Sequence, residues 1–203
     1  MTMPTEDEVL GLVLNSIETG LHENQERIVF QFMRVAPESL IVHFAAFQIH
    51  KELEKRWPRQ FNVLLENKKS DLKIAPMKGQ DEAFLFEFKI PWSGGFILGE
   101  TADDFFKKLR NNPRAYEVTV FLEVLNPGEQ CYRKPGKVKA ANYAEKLRAA
   151  VEKKYPGLRA QVVRKGKTFS LASGDAEIEC SVMIWRARHM GPEIDGVETG
   201  WDE

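Results

Sequence analysis

Three charged side chains in the first half of the chain have the types and spacing of a metal-dependent hydrolytic site. Glu87 and Lys89 stand two residues apart, and fifteen residues separate Asp71 from Glu87. Successive side chains of a strand point to opposite faces, so Glu87 and Lys89 point the same way. If a preceding strand sets Asp71 alongside, two carboxylates and an ammonium converge on one spot. Such a group can hold a divalent cation and activate water for phosphodiester cleavage.

The residues around this pair predict the strand. One face is apolar and consists of Phe84, Phe86, Phe88 and Ile90. The other face carries Leu85, Glu87 and Lys89, so the alternation is strict over seven residues. An acid and a lysine at this spacing are also common as an ion pair on a solvated strand face. The sequence leaves that second interpretation open.

The composition is that of a packed protein of one domain, with embellishments or a helical annex. Of 203 residues, 43% are hydrophobic and 10% aromatic, which is ample for a core. No apolar run approaches the roughly 20 residues of a spanning helix, so a membrane protein is excluded. The acidic start predicts no signal peptide. Cys131 and Cys180 lack the spacing of a zinc site, which favours a reducing cytoplasm, although a bridge between them stays open.

The charge is close to zero overall and unevenly distributed. The formal net charge is −1, without the basic bias usual in proteins that bind nucleic acid. The two ends are acidic, and the basic stretches between them lie at 50–59, 107–110 and 133–139. A basic middle between acidic ends is compatible with a phosphate-binding surface, and equally with ordinary solvated helix faces.

Helical periodicity and capping residues predict the helices. Thr5 with Glu8 three residues later predicts a helix from Glu6 to Glu18, ended by Gly20. The segment from Glu23 to Val35 reads as a second helix, although 28–33 fits a strand as well. Three further helices are predicted at 37–57, 102–111 and 140–155, the first with a continuous apolar stripe.

Short runs of β-forming residues between turn residues predict six or seven strands, with two or three of them after residue 157. They are Phe61–Glu66, Asp71–Pro76, Ala83–Ile90, Tyr116–Leu125, Arg159–Arg164, Thr168–Ala172 and Ala176–Arg186. Strands that alternate with helices indicate an α/β layered domain. We divide the chain into an N-terminal helical extension at 1–37, an α/β domain at 38–189 and an acidic tail at 190–203.

The order of elements from Glu38 to Leu125 resembles the αβββαβ core of the PD-(D/E)XK, or restriction-endonuclease-like, nuclease superfamily. In that family an Asp opens the second core strand and an acid-x-Lys motif lies on the third. The matching residues here are Asp71, Glu87 and Lys89, with Ser70 where the family often has Pro. The resemblance implies a mixed sheet, followed here by a C-terminal helix and strands, and a magnesium- or manganese-dependent nuclease.

The resemblance also implies roles for neighbouring residues. The family often adds a carboxylate from the first core helix to the metal site, and Glu52 fits better than Glu54, which points away from the apolar stripe. The implied metal ligands are therefore Glu52, Asp71 and Glu87, with the backbone carbonyl of Phe88. Lys89 would assist the chemistry. The candidates for phosphate contacts are Lys107, Lys108 and Arg110.

The function expected from the sequence is a cytoplasmic phosphodiesterase that acts on DNA or RNA. The alternative is a non-catalytic binding or adaptor protein on the same core, which the acidic ends and the near-zero charge favour. A small-molecule enzyme built on Gly94 and Gly95 lacks any cofactor fingerprint. A protein partner or a second copy of the chain is left open.

Overall fold

The computed structural model describes residues 4–33, 37–67, 70–77, 83–90, 113–128 and 140–189. Within these ranges the chain forms four helices and seven strands and is an α/β protein, as predicted. The helices are α1 Glu6–Glu23, α2 Gln25–Phe32, α3 Glu38–Arg56 and α4 Ala140–Lys154. The strands are β1 Phe61–Asn67, β2 Ser70–Pro76, β3 Phe84–Lys89, β4 Ala115–Asn126, β5 Leu158–Lys165, β6 Phe169–Ser173 and β7 Ala176–His189.

The seven strands form one open, mixed sheet in the order β1-β2-β3-β4-β7-β5, with β6 also paired to β7. The first three strands are an antiparallel meander. β3 and β4 run parallel, and β7 runs antiparallel to β4, β5 and β6. β5 and β6 lie one after the other along the same edge of β7. The mixed sheet predicted from the sequence is therefore present.

The sheet buries an apolar core on each face. One core joins α1, α2 and α3 to the side chains of β3 that include Phe84, Phe86 and Phe88. The other core contains Leu147 and Val151 of α4 and Leu85 of β3. Because β3 has an apolar core on both sides, Glu87 lies on a covered face of the sheet rather than on a solvated one.

The N-terminal helices differ from the prediction in their ends. The Thr5–Glu8 capping box is present, but α1 continues past Gly20 to Glu23. Gly20 packs against the backbone of Phe44 on α3, where an added Cβ would lie 3.3 Å from a carbonyl carbon and oxygen. That glycine therefore allows two helices to approach closely and does not end the first one. Residues 28–33 continue the helical segment, so the strand interpretation is wrong.

The direction of α3 determines what lies near the sheet edge. α3 ends beside Trp57 and leads into β1, whose first residue Phe61 pairs with Pro76 at the end of β2. The start of β2 therefore lies at the opposite end of the strands, beside the end of β1. Because the last turn of α3 lies at the end where β1 starts, its first residue, Glu38, lies at the other end, close to the end of β3. The backbone N–H of Ile90, just after β3, donates a hydrogen bond to the Glu38 carboxylate, in agreement with this position of Glu38.

The remaining predictions concern one helix, the tail, the strands, the cysteines and the absence of a membrane span. The predicted helix at 102–111 and the tail at 190–203 are outside the described ranges. The predicted strands are confirmed, and β7 extends further, to His189. Cys180 is a free, buried thiol. Among the described helices, none has both the length and the hydropathy that a membrane span requires.

Candidate functional site

Asp71 lies beside Glu87 because of the register of β2 and β3. Leu72 pairs with Phe86 in this antiparallel pair, so one step further along the register places Asp71 opposite Glu87. The Asp71 Oδ2 atom accepts a hydrogen bond of 2.7 Å from the backbone N–H of Phe88. The half-buried aspartate is thus anchored to the strand that carries the acid-x-Lys motif.

Glu87 and Lys89 form an ion pair on that strand. The Lys89 Nζ atom lies 3.3 Å from Glu87 Oε1. Glu87 is only 4% exposed, and the Lys89 side chain is 21% exposed. Burial of a carboxylate is costly unless a charge partner is near, and Lys89 supplies one. The ion pair considered from the sequence is therefore present, but its acid is buried and not solvated.

Glu38 is the residue at this site that the sequence analysis missed. Burial raises the pKa of its carboxyl above the usual range, against the attraction of the Lys89 ammonium. The carboxylates of Asp71 and Glu87 raise this pKa further, and a hydrogen bond from the Ile90 N–H lowers it. Three acids and one lysine therefore act on one another at the end of β3. A like-charge group of this kind favours a cation.

Glu52 is placed elsewhere. It pairs with Arg56 at 3.7 Å and with Lys55 at 4.0 Å, both on its own helix. Glu38 lies fourteen positions earlier on α3, which is about 21 Å along the helix axis. The structure thus brings Glu38, and not Glu52, to Asp71, Glu87 and Lys89. The signal for Glu38 was its position as the first residue of the helix that leads into the three-stranded meander.

β4 adds two buried polar residues next to the acid-x-Lys motif. Glu117 is the Cα partner of Glu87, and Thr119 is the partner of Lys89. Both are completely buried, and the Thr119 hydroxyl donates to Glu117 Oε1 at 3.2 Å. Neither residue belongs to a motif that the sequence alone reveals. The predicted phosphate contacts Lys107, Lys108 and Arg110 lie outside the described residues.

The carboxylate oxygens of Asp71 and Glu87 are the type of ligand that a hard divalent cation binds. Carboxylate oxygens are the ligands that magnesium prefers, and the ion commonly binds one or two protein carboxylates and keeps several waters. Asp71 and Glu87, on adjacent strands, meet that number. In the part of the chain that the structure describes, no three His, Cys, Asp or Glu residues are grouped closely enough to enclose a metal ion. A divalent cation would therefore be bound directly by the two carboxylates of Asp71 and Glu87, with Glu38 nearby.

Comparisons with protein-family models, with curated proteins and with solved structures gave no significant match. The resemblance to the PD-(D/E)XK nucleases stays an expectation drawn from the sequence. The geometry of Asp71, Glu87, Lys89 and Glu38 therefore carries the functional argument.

Proposed function

We propose that the protein is a metal-dependent phosphodiesterase that cleaves DNA or RNA, built on a restriction-endonuclease-like core. The observation that carries the proposal is the anchoring of Asp71. Its carboxylate is tied to the Phe88 N–H at 2.7 Å, between the two residues Glu87 and Lys89 that form the 3.3 Å ion pair. One aspartate, one glutamate and one lysine are thereby held together at the end of a sheet.

The topology supports the proposed core. A helix, an antiparallel three-stranded meander and a fourth strand parallel to the third follow one another from α3 to β4. A parallel pair of strands needs a crossover of a dozen or more residues, usually a helix. The 25 residues between Lys89 and Ala115 are long enough for one. With a helix in that crossover, the element order would be that of the nuclease family that the sequence resembles.

The charged residues of the candidate site have different roles in the proposed reaction. Asp71 and Glu87 would hold a magnesium or manganese ion, and Glu38 would take the supporting position for which the family resemblance implies Glu52. When bound, such an ion polarises a phosphoryl oxygen and acidifies a coordinated water. The Lys89 ammonium, released from Glu87, stabilises the negative charge that builds on the phosphate. Lys107, Lys108 and Arg110 contact the phosphate backbone.

Cleavage assays test this proposal. Purified protein with magnesium or manganese is expected to nick plasmid DNA or to degrade single-stranded DNA or RNA. Asp71→Asn and Lys89→Met should each reduce the rate by about 10²-fold or more, since a positioned acid, base or charge stabiliser contributes that much. The matched controls Asp175→Asn and Lys153→Met should cleave like the unchanged protein. Cleavage at the original rate in both site variants would contradict the assignment.

A non-catalytic binding protein on the same fold is the second candidate. Two observations favour it: Lys89 already neutralises Glu87 at 3.3 Å, and the chain has a net charge of −1. Calorimetry with magnesium and manganese separates the two candidates. A phosphodiesterase should bind the ions with an affinity that falls in Asp71→Asn, whereas a scaffold should show no carboxylate-dependent binding.

A further inference from the structure

Two arginines lie opposite each other near one end of the sheet. Arg159 of β5 and Arg188 of β7 are Cα partners in the antiparallel pair, which places their Cβ atoms about 5 Å apart on the same face. Leu158 and Ala160, the neighbours of Arg159, lie in the core that contains α4. The two arginines therefore project to the other face, where α1 lies. Like charges directly opposite are unfavourable in a sheet, so an anion bound between them would stabilise the pair.

The helix on that face does not cover the pair. Glu6, the first residue of α1, forms an ion pair of 2.8 Å with Arg186 of β7. Further along α1, Glu18 accepts a hydrogen bond from the backbone N–H of Lys167, beyond the far end of β5. The helix therefore runs away from the end of β7 at which Arg188 lies. Both arginines of the pair are exposed to solvent.

The Arg159 guanidinium keeps hydrogen-bond donors for a ligand. Its Nε atom donates to Glu152 Oε1 of α4 at 3.1 Å, and the described residues accept no other hydrogen bond from this guanidinium. The two side chains of this ion pair are 58% and 47% exposed, and exposed ion pairs contribute little. A guanidinium has five N–H donors in a planar fork that fits the oxygens of a phosphate group.

A third arginine lies at the same end and on the same face of the sheet. Arg114 comes just before β4, and β4 starts beside the end of β7 because the two strands are antiparallel. Its guanidinium carbon lies 5.1 Å from the centre of the Phe84 ring, which belongs to the core beneath α1. Since β4, β7 and β5 are adjacent strands, the three arginines span about 10 Å. We call Arg114, Arg188 and Arg159 the arginine row.

A row of arginines suits a chain of phosphates better than a single phosphate group. One strand of a nucleic acid carries a phosphate about every 3.4 Å along the helix axis, so the arginine row matches a length of about three nucleotides. Arginine is the side chain that most often binds phosphate oxygens through two parallel hydrogen bonds. The chemistry of the row therefore favours the backbone of DNA or RNA.

We propose that the arginine row binds phosphate groups of a DNA or RNA strand, at a contact site separate from the candidate metal site. This inference rests on the proposed function, which supplies nucleic acid as the ligand. Lys89 is level with Thr119 of β4, which lies five positions from Arg114, or about 17 Å along the strand. The row also lies on the opposite face of the sheet. It therefore holds a part of the strand distant from the cleaved bond and takes no part in the cleavage chemistry.

Fluorescence anisotropy of the full-length protein with labelled single-stranded DNA and RNA oligonucleotides, in EDTA and at several salt concentrations, tests the row. Arg159→Gln with Arg188→Gln should weaken binding at low salt about tenfold or more. The slope of log K against log salt should fall by about 1.4, because each lost contact with a single strand removes about 0.7. The control is Arg27→Gln with Arg148→Gln, which removes the same charge from exposed positions on α2 and α4 and should bind within about threefold of the unchanged protein.

The outcomes separate this inference from the proposed function. Equal binding by the two double variants would refute the arginine row, and cleavage with manganese by the unchanged protein would then leave the phosphodiesterase proposal standing. Arginine-dependent binding without any cleavage would support the row and refute the phosphodiesterase.

Two further results would also decide the matter. Binding to vesicles of anionic lipid that depends on these arginines, without binding to either oligonucleotide, would overturn the assignment to nucleic acid. If circular dichroism shows the double variant of the row to be unfolded, Arg188→Gln alone decides. Binding about threefold weaker in that variant would support the row, and unchanged binding would refute it.

Discussion

The first residue of α3 carries a carboxyl group that the surrounding structure makes harder to ionise. Burial raises the pKa of Glu38, and the nearby carboxylates of Asp71 and Glu87 raise it further, against Lys89 and the Ile90 N–H. The folded protein therefore holds this proton more tightly than the unfolded chain, whose carboxyl titrates near 4.5. The free energy of unfolding contributed by Glu38 falls as the pH rises through the window above 4.5.

Replacement of Glu38 by Gln should reverse that loss. We expect Glu38→Gln to match the unchanged protein in stability below pH 4.5 and to become increasingly more stable than it above that pH, because the variant cannot ionise. Urea unfolding at pH values from 4 to 8 measures the difference. Glu26→Gln is the control: this exposed acid in the first turn of α2 favours its helix, so its loss should not stabilise the protein. A constant or negative difference for Glu38→Gln across the range would refute the account.

Asp71 has a structural role that is separable from its charge. Its carboxylate satisfies the Phe88 N–H in a partly buried position. Asp71→Ala removes this acceptor and should lower the free energy of unfolding by about 1–3 kcal/mol. Asp71→Asn keeps an acceptor and should lower it less, while it removes cation binding. Urea unfolding and calorimetry of the two variants measure these effects, and equal stability of Asp71→Ala and the unchanged protein would contradict the hydrogen bond.

Among the elements, β3 fixes the position of Glu87 and Lys89 because the side chains on its other face are buried in the core against the helices. Phe88 lies between Glu87 and Lys89 in the sequence, and it is buried against the helices of the opposite face. Phe88→Ala should therefore lower the free energy of unfolding by about 3–5 kcal/mol. Phe47→Ala is the control, since Phe47 is 66% exposed on α3 and should change stability by at most about 0.5 kcal/mol. Urea unfolding compares them, and a small effect of Phe88→Ala would place β3 outside the core.

The elements of the site were predictable from the sequence to different degrees. The period-2 pattern around Glu87 predicts β3 and the shared direction of Glu87 and Lys89, because alternation depends on the strand alone. The apolar stripe likewise predicts α3. A helical wheel shows which residues of α3 share a face. It does not show which turn of α3 lies beside the end of β3. The comparison of Glu52 with Glu54 by helical face therefore did not bring Glu38 into consideration.

Glu117 was missed for a related physical reason. β4 reads as a nearly continuous apolar strand, so its acids carry no pattern of their own. Which of them lies beside Glu87 depends on the register of a parallel pair. A crossover connection sets that register, and no turn residue in the sequence specifies it.

At the scale of the whole molecule, nucleic-acid binding has to occur despite a net charge of −1. Any contribution of Lys107, Lys108 and Arg110 to phosphate binding should appear in the salt dependence. The triple replacement by Gln should weaken DNA binding at low salt and reduce the slope of log K against log salt by up to about three. Manganese affinity should stay the same.

The control for this experiment removes equal charge elsewhere. Arg148, Lys153 and Lys154 are exposed on α4, and their replacement by Gln should leave the slope near that of the unchanged protein. Fluorescence anisotropy with a labelled oligonucleotide at several salt concentrations gives both slopes. If the two triple variants behave alike, the basic segment at 107–110 makes no specific contact with phosphate.

Anomalous diffraction from manganese-soaked crystals of the full chain would show whether Asp71 and Glu87 bind a divalent cation. We expect an anomalous peak within bonding distance of carboxylate oxygens of both residues, with the Lys89 ammonium moved away from Glu87. A data set with no peak between these two carboxylates, or with manganese bound only elsewhere, would contradict this expectation.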